Sequence, residues 1–210
     1  MEAADAADTI REAVEGAGAA ARDDAERFRR RAAVTIAVLA MLLALTSLGG
    51  ANAGKETTNN NIQASDTYAF YQAKNIRQTQ YQLAADELQT RLDATEVPAA
   101  ERAALQRRLA AYTATIARYE SEPGREGQPG QGKRELLAQA QGFEARRDRA
   151  QRQDPNFDFA QALFQIAIVL GSVSIVATSR RLLLLALALG AVATVLLLNG
   201  YTLLVALPLG

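Results

Sequence analysis

The 210-residue sequence contains no cysteine, no histidine and no tryptophan. Without cysteine the chain cannot form disulfides, thiolate nucleophiles or cysteine-ligated zinc sites. Without histidine it lacks the commonest metal ligand and the one side chain that normally titrates near neutral pH, which excludes histidine-based triads and hydrolase sites. The sequence also has no phosphate-binding glycine motif and no metal-ligand spacing. We therefore predict a protein that is not an enzyme, with no catalytic residue, cofactor or metal.

The charge balance does not favour nucleic acid or an acidic substrate as a partner. The 23 basic and 23 acidic residues cancel, so the formal net charge is zero. A neutral chain has no overall field that would attract nucleic acid, and we expect none as a partner. The mean hydropathy of −0.07 is typical of a soluble protein. That average is misleading, because three long segments of the chain carry no charge at all.

These three uncharged segments are each long enough to cross a membrane. They hold 23 residues between Arg31 and Lys55, 21 between Asp158 and Arg180, and 29 after Arg181. A hydrocarbon core of about 30 Å needs roughly 20 apolar residues at helical rise. The sequence therefore predicts transmembrane helices over 32–53, 158–178 and 182–207.

The first segment has a competing interpretation. Arginines precede its apolar stretch and Ala51-Asn52-Ala53 follows it, as in a signal peptide with its cleavage site. The apolar run exceeds the usual ~7–15 residues, and a charged segment of 31 residues precedes it. Both features favour an uncleaved membrane anchor.

Arginine residues predict how the spans are oriented. Arg29, Arg30 and Arg31 directly precede the first span, and Arg180 and Arg181 fill the expected turn at 179–181. With three spans, both groups lie on the same side of the membrane, which the positive-inside rule makes cytoplasmic. We therefore predict a multi-pass protein in the lipid bilayer, with a cytoplasmic N-terminus and an extracytoplasmic segment 54–157.

The polar segments outside the spans are typical of helices. The Ala-rich, charged tail 1–31 has too thin an apolar stripe to fold alone, so we expect a frayed helix or a disordered tail; a docking helix is the alternative. In the extracytoplasmic segment, Pro98 suits the start of a helix and Asp154-Pro155-Asn156 is expected to end one. The predicted helices are 56–96, 98–120 and 133–153, with a Gly/Pro linker over 121–132.

Heptad-like spacing and helix length predict how these helices pack. Ile62, Ala69, Ile76 and Leu83 recur every seven residues. The first helix spans about 60 Å and the next two together about 65 Å at 1.5 Å per residue. The fold class predicted is an all-α membrane protein: three transmembrane helices with a long extramembrane antiparallel hairpin, or coiled-coil stalk, between the first two. A compact three-helix bundle is the alternative. The second helix adds a seam at Leu105, Leu109, Tyr112, Ile116 and Tyr119.

A polar and aromatic cluster over 64–78 is the candidate interaction seam. It could bind a ligand or partner, or its polar groups could be buried to fix helix register, which is the interpretation we favour. Within the spans, amide and hydroxyl side chains are expected to hydrogen-bond between helices. The seam consists of Asp66, Tyr68, Tyr71, Gln72, Lys74, Asn75 and Arg77, and the intramembrane polar residues are Gln161, Gln165, Ser172 and Asn199.

Two stretches resemble a bacterial membrane family known only as domain of unknown function 4337. They are NNNIQASDTYAFYQAKNIRQ at 59–78 and FDFAQALFQIAIVLGSVSIVATSRRLLLL at 157–185, with Asn199-Gly200-Tyr201 closing the third span. The likeness covers the chain from about Arg27 to Tyr201. It implies a three-pass protein of the bacterial inner membrane with a long helical extramembrane insertion, and it carries over no catalytic residue.

These features together favour a non-enzymatic structural or scaffold protein of the inner membrane. Thin Ala-rich seams often need neighbouring chains for stability, so we expect a homo-oligomer or a complex with a membrane-protein partner. The first alternative is an extracytoplasmic sensory or ligand-binding module. The second is a channel or transporter subunit with a pore lined by Gln165 and Asn199.

Overall fold

The computed structural model describes residues 2–94 and 97–206, with side chains from Arg22 onward. Within those residues it contains four helices and no strand, which confirms the all-α prediction. The side chains of most of the predicted tail, and residue 207 at the end of the predicted third span, lie outside the described part. The helices are α1 (Glu2–Asp93), α2 (Ala99–Glu120), α3 (Lys133–Val176) and α4 (Arg180–Thr202).

Three of these helices, α1, α3 and α4, are long and apolar enough to cross a membrane. Helix α1 continues from its apolar part into the following polar part without a break, because it contains no proline. The glycines at 49, 50 and 54 lie within it as helical residues.

Helix α3 also continues where we expected it to end. Pro155 lies inside the helix, so the predicted stop at 154–156 is wrong. A proline inside a helix removes one hydrogen bond and costs about 3 kcal/mol. The lost hydrogen bond is the one to the carbonyl of Gln151. The side-chain amide of the next residue, Asn156, donates to the adjacent carbonyl, that of Arg152, at 3.0 Å. Asn156 and Phe157 are also buried, and their packing holds the helix on the far side of the proline.

The connection between α3 and α4 lies two residues earlier in the chain than predicted. It consists of residues 177–179, with Thr178 in the left-handed region at φ 49°. The backbone N–H of Ser179 donates to the carbonyl of Ser174 at 3.0 Å and closes the turn. Arg180 and Arg181 therefore belong to the first turn of α4 and not to the connection.

The chain forms two compact units, Met1–Gly54 with Gln151–Gly210, and Lys55–Ala150. In the first unit, small residues let the helices approach closely. A Cβ built on Gly171 would lie 2.9 Å from Cγ1 of Ile36, and one on Gly190 would lie 2.5 Å from Cδ2 of Leu39. Both glycines follow a fully buried alanine by four residues, a spacing typical of close helix packing in membranes. The core of this unit includes Phe157, Ala160, Phe164, Ala167 and Ala193.

In the second unit, α1 packs against α2 and the first part of α3. As the residue number rises along α1, the contacting residues of α2 and α3 have falling residue numbers. Both helices therefore run antiparallel to α1 in this unit. The α2 seam predicted from spacing is buried or half-buried. The contacting pairs include Tyr68 with Glu144, Lys74 with Glu122, Gln78 with Ile116, Tyr81 with Tyr112, and Leu92 with Arg102.

The side of α1 that faces these partners differs from the stripe we expected. The predicted stripe is exposed: Ile62 by 52%, Ile76 by 60% and Leu83 by 65%. Each of these residues lies two positions before a residue of the true inward column, a rotation of about 200° around the helix. The inward column also recurs every seven residues, at Ala64, Tyr71, Gln78, Ala85 and Leu92.

Candidate interaction site

The residues of the predicted interaction seam lie on two different sides of α1, one packed against α2 and α3 and one exposed. Lys74 is buried, and Tyr68 and Tyr71 are half-buried, because these positions face α2 and α3. The other members lie on the exposed side and do not join them. The exposed members are Asp66, Gln72, Asn75 and Arg77.

Lys74 is the most deeply buried charge in the described part of the second unit. Its Nζ lies 3.4 Å from Oε2 of Glu122. The same Nζ lies 5.3 Å from the ring centre of Phe70 and 5.7 Å from that of Tyr119. An opposite charge and two aromatic faces offset the cost of removing an ammonium group from water.

One turn further along α1, Gln78 joins all three helical segments. Its Nε2 donates to the carbonyl of Ile116 at 3.1 Å and to Oε2 of Glu120 at 3.2 Å. Its Oε1 accepts a hydrogen bond of 2.6 Å from Nζ of Lys133, which also pairs with Glu120 at 3.4 Å. The hydrogen bond from Gln78 is the largest influence on Glu120: together with Lys133, it lowers the pKa of that carboxyl against the opposing effect of burial.

The Gly/Pro linker closes beside this network. Ser121 Oγ donates to Oε1 of Glu135 at 2.6 Å, and the backbone N–H of Glu122 donates to its Oε2 at 3.2 Å. The bond from Ser121 is the main cause of a lowered pKa for the Glu135 carboxyl. A Cβ on Gly132 would collide with the backbone of Glu122, so this close approach requires glycine. These contacts hold the two ends of the linker against each other, between the end of α2 and the start of α3.

A second polar contact lies further along α3. The hydroxyl of Tyr68 donates to Oε2 of Glu144 at 3.0 Å, and this bond raises the pKa of the tyrosine. Arg147 donates to Oδ1 of Asn61 at 3.4 Å. These side chains border an open polar cleft of about 380 Å³, which Gln72 also lines.

Both lysines of this network therefore already have carboxylate partners. Lys74 pairs with Glu122, and Lys133 pairs with Glu120. Buried, paired polar groups define the register between packed helices, because any shift would leave a charge unpaired. The register-fixing role of the seam stays a prediction.

In the first unit, only part of the predicted intramembrane polar set bonds between helices. Ser47 Oγ donates to Oε1 of Gln161 at 3.2 Å, and Asn199 Nδ2 donates to Oδ1 of Asn156 at 2.7 Å. Ser172 donates instead to the carbonyl of Ile168 in its own helix. Gln165 is exposed and makes no hydrogen bond to any residue that the structure describes.

Comparison with known proteins now identifies the family. The sequence matches the domain of unknown function DUF4337 over residues 28–203, which is 176 of its 210 residues. The chain belongs to the DUF4337 family. No curated protein and no solved structure matches it. The matched region includes the whole polar network and both interhelical amide contacts.

Sequence reasoning did not single out several residues that join the helices of this DUF4337 chain. Gln78 could have been found, because it lies two heptads after Ala64 in the column that contains Ala85 and Leu92. Glu120 and Lys133 carried no signal, since they meet only when the linker brings the ends of α2 and α3 together. Asn156 was hidden by the expectation that the helix would stop there.

The predicted topology arginines of the DUF4337 chain are exposed. Two of them, Arg31 and Arg180, line a single cavity between α1 and α4 in the first unit. Arg29, Arg30 and Arg181 do not line this cavity.

Proposed function

We propose that this chain is a non-enzymatic scaffold of the bacterial inner membrane that self-associates through its extracytoplasmic helical stalk. The stalk is the second unit, with α1 paired antiparallel to α2 and α3 as a coiled-coil hairpin. In this proposal, α1, α3 and α4 cross the bilayer, the N-terminus is cytoplasmic and the stalk lies outside.

Exposed apolar surface on three helices supports membrane insertion. Large apolar side chains are exposed on α1, α3 and α4 in the first unit: Met41 is 59% exposed, Val169 61% and Val195 65%. Contiguous apolar surface of this kind marks a membrane or protein contact. The same helices pass the length and hydropathy criteria for spans.

The observation that carries self-association is the exposed stripe Ile62, Ala69, Ile76 and Leu83. It has the seven-residue period of a coiled-coil seam, yet its large residues are more than half exposed in the single chain. Every copy in one membrane has the same orientation, so two α1 stripes would run parallel. Equal positions of two copies would then lie opposite one another.

Cysteine crosslinking tests this arrangement cleanly, because the chain has no native cysteine. Leu83→Cys should form a disulfide-linked dimer in native membranes under mild oxidation, since the bond requires Cα atoms within about 7 Å. Gln82→Cys is the matched control: it is exposed and adjacent, but it lies about 100° away around the helix. Equal dimer yields from the two variants, or no dimer from either, would contradict the proposal.

A further inference from the structure

Three arginines border a cavity of about 330 Å³ in the first unit. Arg27 and Arg31 lie one turn apart on α1, and Arg180 lies at the start of α4. Asp24 is the one acidic residue among the lining residues, so three positive charges and one negative leave a net charge of +2. The site is therefore suited to an anion.

The acidic residue does not neutralise all three arginines. Asp24 pairs with Arg27 at 3.2 Å. Within the described residues, Arg31 and Arg180 have no carboxylate partner, and both are exposed. Asp23 and Glu26 are also exposed on α1 but do not line the cavity. Two guanidinium groups with free donors can hold a phosphate through several charge-assisted hydrogen bonds.

Apolar residues complete the same site. The cavity is lined by Phe28, Leu183 and Leu184, and Leu184 is 65% exposed. The uncharged segments of α1 and α4 begin at Ala32 and Leu182, directly after the arginines. The start of α4 adds positive partial charge, because its N-cap residue Ser179 makes no side-chain capping bond. Positive groups thus lie where two apolar helices begin.

We propose that Arg31 and Arg180 bind the phosphate of an anionic phospholipid, whose acyl chains lie against Leu183 and Leu184, while Arg27 lines the same cavity and stays paired with Asp24. A free phosphate ion would satisfy the arginines but would leave the adjoining leucines uncovered, so the apolar lining favours the lipid. Basic pockets between transmembrane helices bind such headgroups in this way. The inference depends on membrane insertion, but it does not depend on self-association through the stalk.

Native mass spectrometry of the full chain in detergent micelles tests the site, with phosphatidylglycerol as the anionic probe and phosphatidylcholine as the probe with a phosphodiester but no net charge. The wild type should retain about tenfold more phosphatidylglycerol than phosphatidylcholine, because the net positive site favours the anionic lipid. Arg31→Gln with Arg180→Gln should remove most of this preference. The matched control is Arg29→Gln with Arg181→Gln, which removes the same charge from positions outside the cavity. This control should keep the preference for phosphatidylglycerol.

Equal losses in the two double variants would overturn the site in favour of diffuse attraction by surface charge. Displacement of phosphatidylglycerol by millimolar inorganic phosphate would overturn the lipid as the ligand. The single variant Arg180→Gln, with helicity checked by circular dichroism, should weaken the preference for phosphatidylglycerol without any change in α1; full retention would contradict the proposal. The crosslinking test with Leu83→Cys reports on the second unit, whereas the lipid test reports on the first. Failure of the lipid test is therefore distinguishable from failure of the crosslinking test.

Discussion

The side-chain amide of Asn199 donates a hydrogen bond of 2.7 Å to Oδ1 of Asn156, 43 residues earlier in the chain. The same Nδ2 donates to the carbonyl of Val205 at 2.8 Å, and Oδ1 of Asn199 accepts from the N–H of Val205 at 2.9 Å. Leu203, in the left-handed region at φ 52°, turns the chain so that Val205 reaches this amide. One buried side chain therefore ends α4 at Thr202, five residues before the predicted end of the third span, and joins α4 to α3 beside Pro155.

Replacing Asn199 by leucine should destabilise the first unit. The substitution leaves the Asn156 oxygen and the polar backbone atoms of Val205 without their partner, which costs about 1–3 kcal/mol of unfolding free energy. Thermal unfolding in detergent, followed by circular dichroism, measures the loss. Gln165→Leu is the control, because Gln165 is exposed and makes no bond to the described residues; we expect a change within about 0.5 kcal/mol. Equal effects of the two substitutions would contradict this account of Asn199.

Gly49→Ala should also be destabilising, through the ring of Phe157. A Cβ on Gly49 would lie 2.6 Å from Cε1 of that ring, which Gly200 and the edge-on ring of Tyr201 confine from another side. Overpacking of this kind costs about 1–3 kcal/mol, more than the helix propensity of alanine returns. The melting temperature should fall.

Gly142→Ala is the control for this glycine. A Cβ there meets nothing within 4 Å, so alanine should stabilise α3 by about 0.5–1 kcal/mol. If Gly49→Ala raised the melting temperature as much as Gly142→Ala does, the confinement of Phe157 would be disproved.

The sequence predicts the helical class and the three apolar helices because both depend on local composition. Uncharged runs of about 20 residues and the inward seam of α2, from Leu105 to Tyr119, can be recognised without knowing any partner. The continuation of α3 beyond the predicted end of the helix at 133–153 could not be predicted in this way. Pro155 is a helix breaker by local rules, but burial of Asn156 and Phe157 outweighs its cost.

The inward side of α1 could not be predicted for a related reason. Two stripes share the seven-residue period, and the one that contains Ile62, Ile76 and Leu83 is the more hydrophobic. The structure buries the column with Ala64 and Gln78 instead. Small residues allow close helix contact, and Gln78 is satisfied only by groups of α2 and α3 that are remote in sequence. Tertiary packing therefore selects the less hydrophobic face.

Tyr68→Phe should weaken the second unit more than Tyr71→Phe does. The hydroxyl of Tyr68 donates to Glu144, and its removal should cost about 0.5–1.5 kcal/mol. Tyr71 lies with its ring 5.8 Å from Nζ of Lys133, but its hydroxyl makes no hydrogen bond to the described residues, so phenylalanine should be nearly neutral. Chemical unfolding of the full chain, followed by circular dichroism, compares the two. A larger loss for Tyr71→Phe would show that the tyrosine roles are reversed.

Stability of the second unit should fall in acid because of Glu120. The pKa of this carboxyl is lowered by the hydrogen bond from Gln78 and by Lys133, so the charged form stabilises the folded state above its ordinary pKa of 4.5. That contribution is lost as the pH falls from about 4.5 through the lower pKa of the folded state. Glu120→Gln should therefore destabilise the protein at neutral pH and flatten the decline in melting temperature below pH 4.5. Glu126→Gln, an exposed change in the linker, should leave the decline as in the wild type. The same flattening in both variants would show that the acid sensitivity does not come from the network around Gln78.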